Sequence, residues 1–115
     1  MRIAVSSQNF RTITSHAGKS RRFMLFDIGP DSGITERERL DLPKGQSLHD
    51  TQGPDHPLFE RGLTHLLTGG AGERFIERMA ARGIEVIQTS EPEIDKALNA
   101  LAAGKTLPPA APHEH

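Results

Sequence analysis

The sequence predicts one α/β domain: a mixed five-stranded sheet with helices on both faces, a three-layer α/β/α sandwich. Three observations carry that class. Short apolar runs open the chain and are parted by turn-forming clusters, which marks strands. After residue 57, apolar runs alternate with segments of helical period, which marks parallel strands joined by right-handed crossovers. At 115 residues the chain has the length of one ordinary domain. The predicted order is β-β-β-α-β-α-β-α, with residues 1–103 as the domain and 104–115 as a flexible tail.

Ile3-Ala4-Val5 reads as a buried first strand, closed by Ser6-Ser7-Gln8-Asn9, and a polar loop follows over residues 7–22. Phe23-Met24-Leu25-Phe26-Asp27-Ile28 is the second strand. It is stopped by the turn cluster Gly29-Pro30-Asp31-Ser32-Gly33, so a third strand over 34–42 returns antiparallel. That third run is charged, which suits an exposed edge where charge discourages aggregation. Residues 43–57 form a second polar loop, and Pro57 is expected to open a short helix that ends near Gly62. His65-Leu66-Leu67-Thr68 is an interior strand. Gly69-Gly70-Ala71-Gly72 turns into a helix over 72–82 that carries Phe75, Ile76, Met79 and Ala80 on one face and stops at Gly83. Residues 84–89 form the fifth strand. Ser90 with Glu93 has capping-box spacing, with Pro92 in the first turn, for a last helix running to 103. The proline-rich remainder, ending His113-Glu114-His115, has no period.

Composition narrows the function. Fourteen basic against fifteen acidic side chains give no field to hold nucleic acid, and with 4% aromatics, no Trp and no Tyr, base stacking is poorly served. No cysteine is present, so disulfides and thiolate-held clusters are excluded. The chain has no run of 18 apolar residues for a membrane span and begins without a signal-peptide pattern, so a cytoplasmic protein is expected; the charged third run suggests a monomer. The serines have no evident base and orienting acid, and no carboxylate set stands out for two-metal chemistry; an enzyme is not expected. Gly18-Lys19-Ser20 lacks the earlier glycine of a phosphate loop and leads into a strand, not a helix.

The stretch Ser15-His16-Ala17-Gly18-Lys19-Ser20-Arg21-Arg22-Phe23 concentrates an imidazole and three fixed positive charges in a short loop. Imidazole ligates borderline metals, and clustered Lys and Arg attract anions. In an open α/β sheet, ligands gather at the carboxyl ends of the parallel strands. There the loops at 7–22, 69–72 and 89–91 are expected to meet, with free N–H groups of the glycine turn pointing into the crevice. The candidate binding residues are therefore His16, Gly18, Lys19, Arg21, Arg22, Gly69, Gly70, Ala71 and Gly72, with His16 as the metal ligand and Arg11 adding charge nearby. His49 and His56, beside Asp50 and Asp55, match no rigid zinc spacing but are candidates to supplement the site; His65 reads as structural. His113 and His115 are candidates for weak metal capture.

Four segments occur in a telling order: the loop and strand start at 15–23, His56-Pro57-Leu58-Phe59-Glu60-Arg61-Gly62, Thr68-Gly69-Gly70-Ala71-Gly72, and Ala81-Arg82-Gly83-Ile84-Glu85-Val86. Together they resemble the dinitrogenase iron–molybdenum cofactor biosynthesis family, small proteins of the NifX and NafY type, over residues 1–103. The resemblance implies a ribonuclease-H-like fold and a carrier role. The cargo would be an iron–sulfur or iron–molybdenum cluster or its precursor, exchanged with metallocluster assembly or acceptor proteins. It carries over His16 and the turn at 69–72 as the site. The competing reading is a regulatory module that binds a small anionic metabolite without metal.

Overall fold

The computed structural model describes residues 1–51 and 56–110. Five strands, β1 (Arg2–Ser6), β2 (Arg22–Ile28), β3 (Ile34–Asp41), β4 (His65–Thr68) and β5 (Glu85–Gln88), form one sheet in the order β3-β2-β1-β4-β5. β1 pairs antiparallel with β2, and β2 with β3; on its other side β1 runs parallel with β4, and β4 with β5. β1 is thus the strand where an antiparallel half meets a parallel half, as the hairpin-then-alternation pattern of the sequence predicts. β3 is an edge strand, and its register on β2 slips between Leu25 and Phe26, where Arg37 is passed over and reaches Asp27 instead. The slip and the exposed charges blunt this edge against pairing with other chains.

Strand side chains alternate between faces, so each strand feeds two cores. Ala4, Phe23, Leu25 and Leu66 pack with Phe75 and Met79 of helix α1 (Glu73–Ala80). Ile3, Val5, Met24, Phe26 and Leu67 pack with Ile94, Ala97 and Leu98 of helix α2 (Ile94–Ala102). The expected stop at Gly83 is present in detail: Gly83 takes φ 74°, its N–H donates to Ala80 and the next N–H, of Ile84, to Met79. That is a Schellman closure, which needs a residue at ease in the left-handed region.

Three boundaries differ from the sequence reading, each for a tertiary reason. The helix expected after Pro57 is a single 3-10 turn, Pro57–Glu60, because Gly62 follows at φ 67° and leaves room for one turn only. The last helix starts at Ile94, not at Ser90, and its N-cap is Glu93 with no side-chain cap bond. Residues 92 and 93 are held extended instead: the Pro92 carbonyl accepts from the Ile13 N–H, and Glu93 bridges Thr12. The capping-box spacing of Ser90 loses to that bridge. The segment expected as a loose tail is seated as far as Pro108. Leu107 packs against the α2 core, and the Pro108 carbonyl accepts from Thr89 Oγ1 (2.7 Å) and from the Ser90 N–H (3.3 Å). Asp55, His113 and His115 lie outside the described residues. Among the described residues, no helix is long and apolar enough to cross a membrane.

Candidate functional site

The three loops at the carboxyl ends of the parallel strands do meet. The Gly69 N–H donates to the Thr14 carbonyl (3.0 Å), the Ala17 N–H to the Gly70 carbonyl (3.2 Å), and the Thr89 N–H to the Thr68 carbonyl (3.0 Å). The contact between the His16 loop and the glycine turn is close. A Cβ on Gly69 would stand 2.8 Å from Ser15 Oγ, which would have to rotate aside, and 3.4 Å from the Ser15 nitrogen.

Beneath the junction lies a network of buried hydroxyls that the sequence reading passed over. Ser6 and Thr68 are both fully buried at the ends of β1 and β4. Ser6 Oγ is 2.6 Å from the Thr14 carbonyl oxygen and 2.8 Å from Thr68 Oγ1; Thr68 Oγ1 is 3.1 Å from the same carbonyl and 3.2 Å from that of Gly70. With one proton each, the two hydroxyls share these carbonyls and fix the loop to the strand ends. The visible signal was one polar residue ending each apolar strand on the same rim.

His16 stands above this network, exposed, with backbone angles φ 60° and ψ 52° in the left-handed region. Histidine is among the few non-glycine residues enriched there, yet the conformation carries strain. Its carbonyl, not its side chain, holds the following 3-10 turn (Ala17–Lys19): it accepts from the N–H groups of Lys19 (2.9 Å) and Ser20 (3.1 Å), and Ser20 Oγ lies 3.2 Å away. An open pocket of about 380 Å³ beside the turn is lined by Gln8, Thr14, Ser15, His16, Lys19 and Ser20. Lys19 and Arg21 are exposed and make no ion pair among the described residues. They are the available positive charge of this loop.

Two expectations about the site need correction. The N–H groups of the glycine turn are not free at three of its four positions. Gly69 donates to Thr14, Gly70 to Thr68 Oγ1 (3.3 Å) and Ala71 to Gln88 Oε1 (3.1 Å), because the turn must satisfy its own buried backbone. Gly72 caps α1 through its carbonyl, which accepts from Ile76. Arg22 is also committed: it pairs with Asp41 (3.3 Å), donates to the Gln8 carbonyl (2.9 Å) and lies over the Phe10 ring. It braces the loop wall more than it offers charge.

The other histidines separate cleanly. His49 is exposed, and its N–H donates to the Gly18 carbonyl at 2.6 Å, so the second loop is stitched to the first. His56 is 1% exposed and structural: Nδ1 accepts from the Leu58 N–H (3.1 Å) and Nε2 faces the Gln46 carbonyl (3.0 Å). That pattern requires the neutral ring, and burial lowers its pKa further, with the Arg78 and Arg61 charges acting in the same direction. His65 contacts Thr64 Oγ1 (2.7 Å) and Glu85 (3.5 Å), a hydrogen-bonded strand residue as read from sequence. Among the described residues, no three His, Asp or Glu side chains converge as a metal cage.

A mixed sheet with its loops gathered over one rim, one of them carrying an exposed imidazole, defines a small α/β protein. The chain belongs to the dinitrogenase iron–molybdenum cofactor family, which it matches over residues 1–104. Among solved structures it is similar to PH0822, at 29% identity and TM-score 0.71 over 91% of this chain and 93% of that one. It is also similar to the apo form of the orange protein from Desulfovibrio gigas, at 24% identity and TM-score 0.67 over 98% and 96% of the two chains. A Thermotoga protein of the DUF35 family shares the fold at 16% identity and TM-score 0.66, over 99% and 97%. A search of curated proteins finds no match.

Proposed function

We propose that this protein is a non-enzymatic carrier that holds an iron–sulfur or iron–molybdenum cluster, or a precursor of one, and passes it between assembly and acceptor proteins in the cytoplasm. The observation that carries the reading is His16: an exposed imidazole kept in a strained backbone conformation, on a turn bonded directly to the glycine turn of β4. Strain retained at a surface loop is spent on placing a group, and here the group is a ligand for soft or borderline metal. Lys19 and Arg21, with Arg11 exposed further along the loop, supply attraction for a bulky anionic cargo. Gly18 lies in the same turn, and the turn of Gly69, Gly70, Ala71 and Gly72 frames the loop through the bonds at 69 and 70. One side-chain ligand plus electrostatics gives a hold that can be released, which suits carriage over storage. Family membership supports the cargo class, and the two-sided sheet supports the ribonuclease-H-like, three-layer description of the fold.

Anaerobic reconstitution with a preformed anionic cluster, followed by visible spectroscopy and metal analysis, tests the reading. A bound chromophore with stoichiometric metal is expected, and its affinity falls as salt is raised because exposed charges are screened within about 8 Å at physiological ionic strength. No chromophore, or a salt-independent affinity, rejects electrostatic cluster capture.

A further inference from the structure

A second cavity lies on the far side of the Ala17–Lys19 turn, and the cluster reading leaves it unused. It measures about 350 Å³ and is lined by Gly18, Leu48, His49, Arg74, Phe75 and Arg78. That volume falls in the range of small-molecule sites, roughly 300–1,000 Å³. Its floor is apolar: Leu48 and Phe75 are 1% and 9% exposed. Its walls are preformed. Arg78 of α1 donates to the carbonyls of Leu48 and Thr51, and the His49 N–H donates to the Gly18 carbonyl, so helix, loop and turn are locked around the space. At the rim, Arg74 in the first turn of α1 is exposed and makes no ion pair among the described residues. A guanidinium presents a planar fork that matches two oxygens of one acidic head.

We propose that this cavity binds a small organic anion, its apolar body against Leu48 and Phe75 and its carboxylate or phosphate on Arg74. The apolar floor requires the body, and the rim arginine requires the acid; neither inorganic phosphate nor a neutral ring satisfies both. The site is separate from the His16 pocket, and its existence does not depend on the cluster reading.

The test uses the full chain without any cluster, titrated with phenyl phosphate and with benzoate while backbone amide resonances are followed. Saturable shifts at Gly18, His49 and Phe75 are expected from at least one acid at low-millimolar concentration, the affinity that ligand efficiency allows a fragment of this size. Inorganic phosphate and phenol should each bind at least several-fold more weakly. Arg74→Gln should weaken the acid by about tenfold, the value of one charge-assisted hydrogen bond. Arg82→Gln, eight residues further along the chain and beyond the C-terminal end of α1, should leave binding unchanged. Absent saturation, equal binding of inorganic phosphate or phenol, or equal loss in Arg74→Gln and Arg82→Gln overturns the assignment. Because His16 takes no part, failure here leaves cluster loading intact, and failure of cluster loading leaves these shifts intact.

Discussion

Replacing His16 by glycine separates the role of the imidazole from that of the backbone beneath it. The residue sits at φ 60° and ψ 52°, where an L side chain costs about 1–2 kcal/mol and glycine is at ease. Glycine returns roughly 0.5–1 kcal/mol of that through the extra freedom of the unfolded chain. The turn itself is held by the His16 carbonyl, which accepts from Lys19 and Ser20 whatever the side chain. His16→Gly is therefore expected to fold with stability within about 1 kcal/mol of the parent. His16→Ala keeps the strain and should lie about 1 kcal/mol below the glycine variant, near 4 °C in Tm for a domain of this size. Both variants should lose cluster retention in anaerobic titration. Thermal melts and visible absorbance read the two effects separately. Undiminished loading by His16→Gly would refute the imidazole's role as ligand, and a glycine variant that melts below the alanine variant would refute the strain argument.

Other expectations concern the support of the site. His56 is buried neutral with a lowered pKa, so the unfolded chain binds its proton first. Its contribution is full above the unfolded value of about 6.5 and declines below it by up to about 1.4 kcal/mol per pH unit until the folded ring protonates. Urea midpoints measured from pH 7.5 down to 5 should fall accordingly in the parent and less so in His56→Asn; identical profiles reject the assignment. Thr68→Val removes a buried hydroxyl shared by the Thr14 and Gly70 carbonyls, at an expected cost of about 1–3 kcal/mol, with faster amide exchange at Gly69 and Gly70. An isostable variant with unchanged exchange shows the network to be dispensable.

Much of the fold was legible because its signals are local. The apolar runs at Ile3-Ala4-Val5 and 23–28, the turn cluster after Ile28, and the glycine stop at Gly83 each act within a few residues, and each took its expected form. What misled were signals overruled from a distance. Ser90 had capping spacing, but the Thr12–Ile13 segment, some 80 residues earlier, claimed the backbone at 92 and 93. The glycine turn suggested free donors, but Thr14, Thr68 and Gln88 consume them. Arg22 counted as loop charge until Asp41 on the neighbouring strand paired with it. The loops gathered at the rim were foreseeable from the strand alternation; which groups stay available within them depended on partners that sequence spacing does not reveal.

The stitching of the His16 loop to residues 69 and 70 bears on when the protein can receive anything at all. During synthesis, residues 1–64 emerge before β4 and the glycine turn exist, and β1 then has only its hairpin partner to pair with. The segment around His16 then lacks both the donor at 69 and the acceptor at 70, so its left-handed kink rests on local bonds alone. Closing a contact across more than fifty residues is among the slower events of folding. A half-made chain thus carries the histidine without the contacts to residues 69 and 70, and the metal capture proposed above would wait for the parallel half of the sheet to be finished.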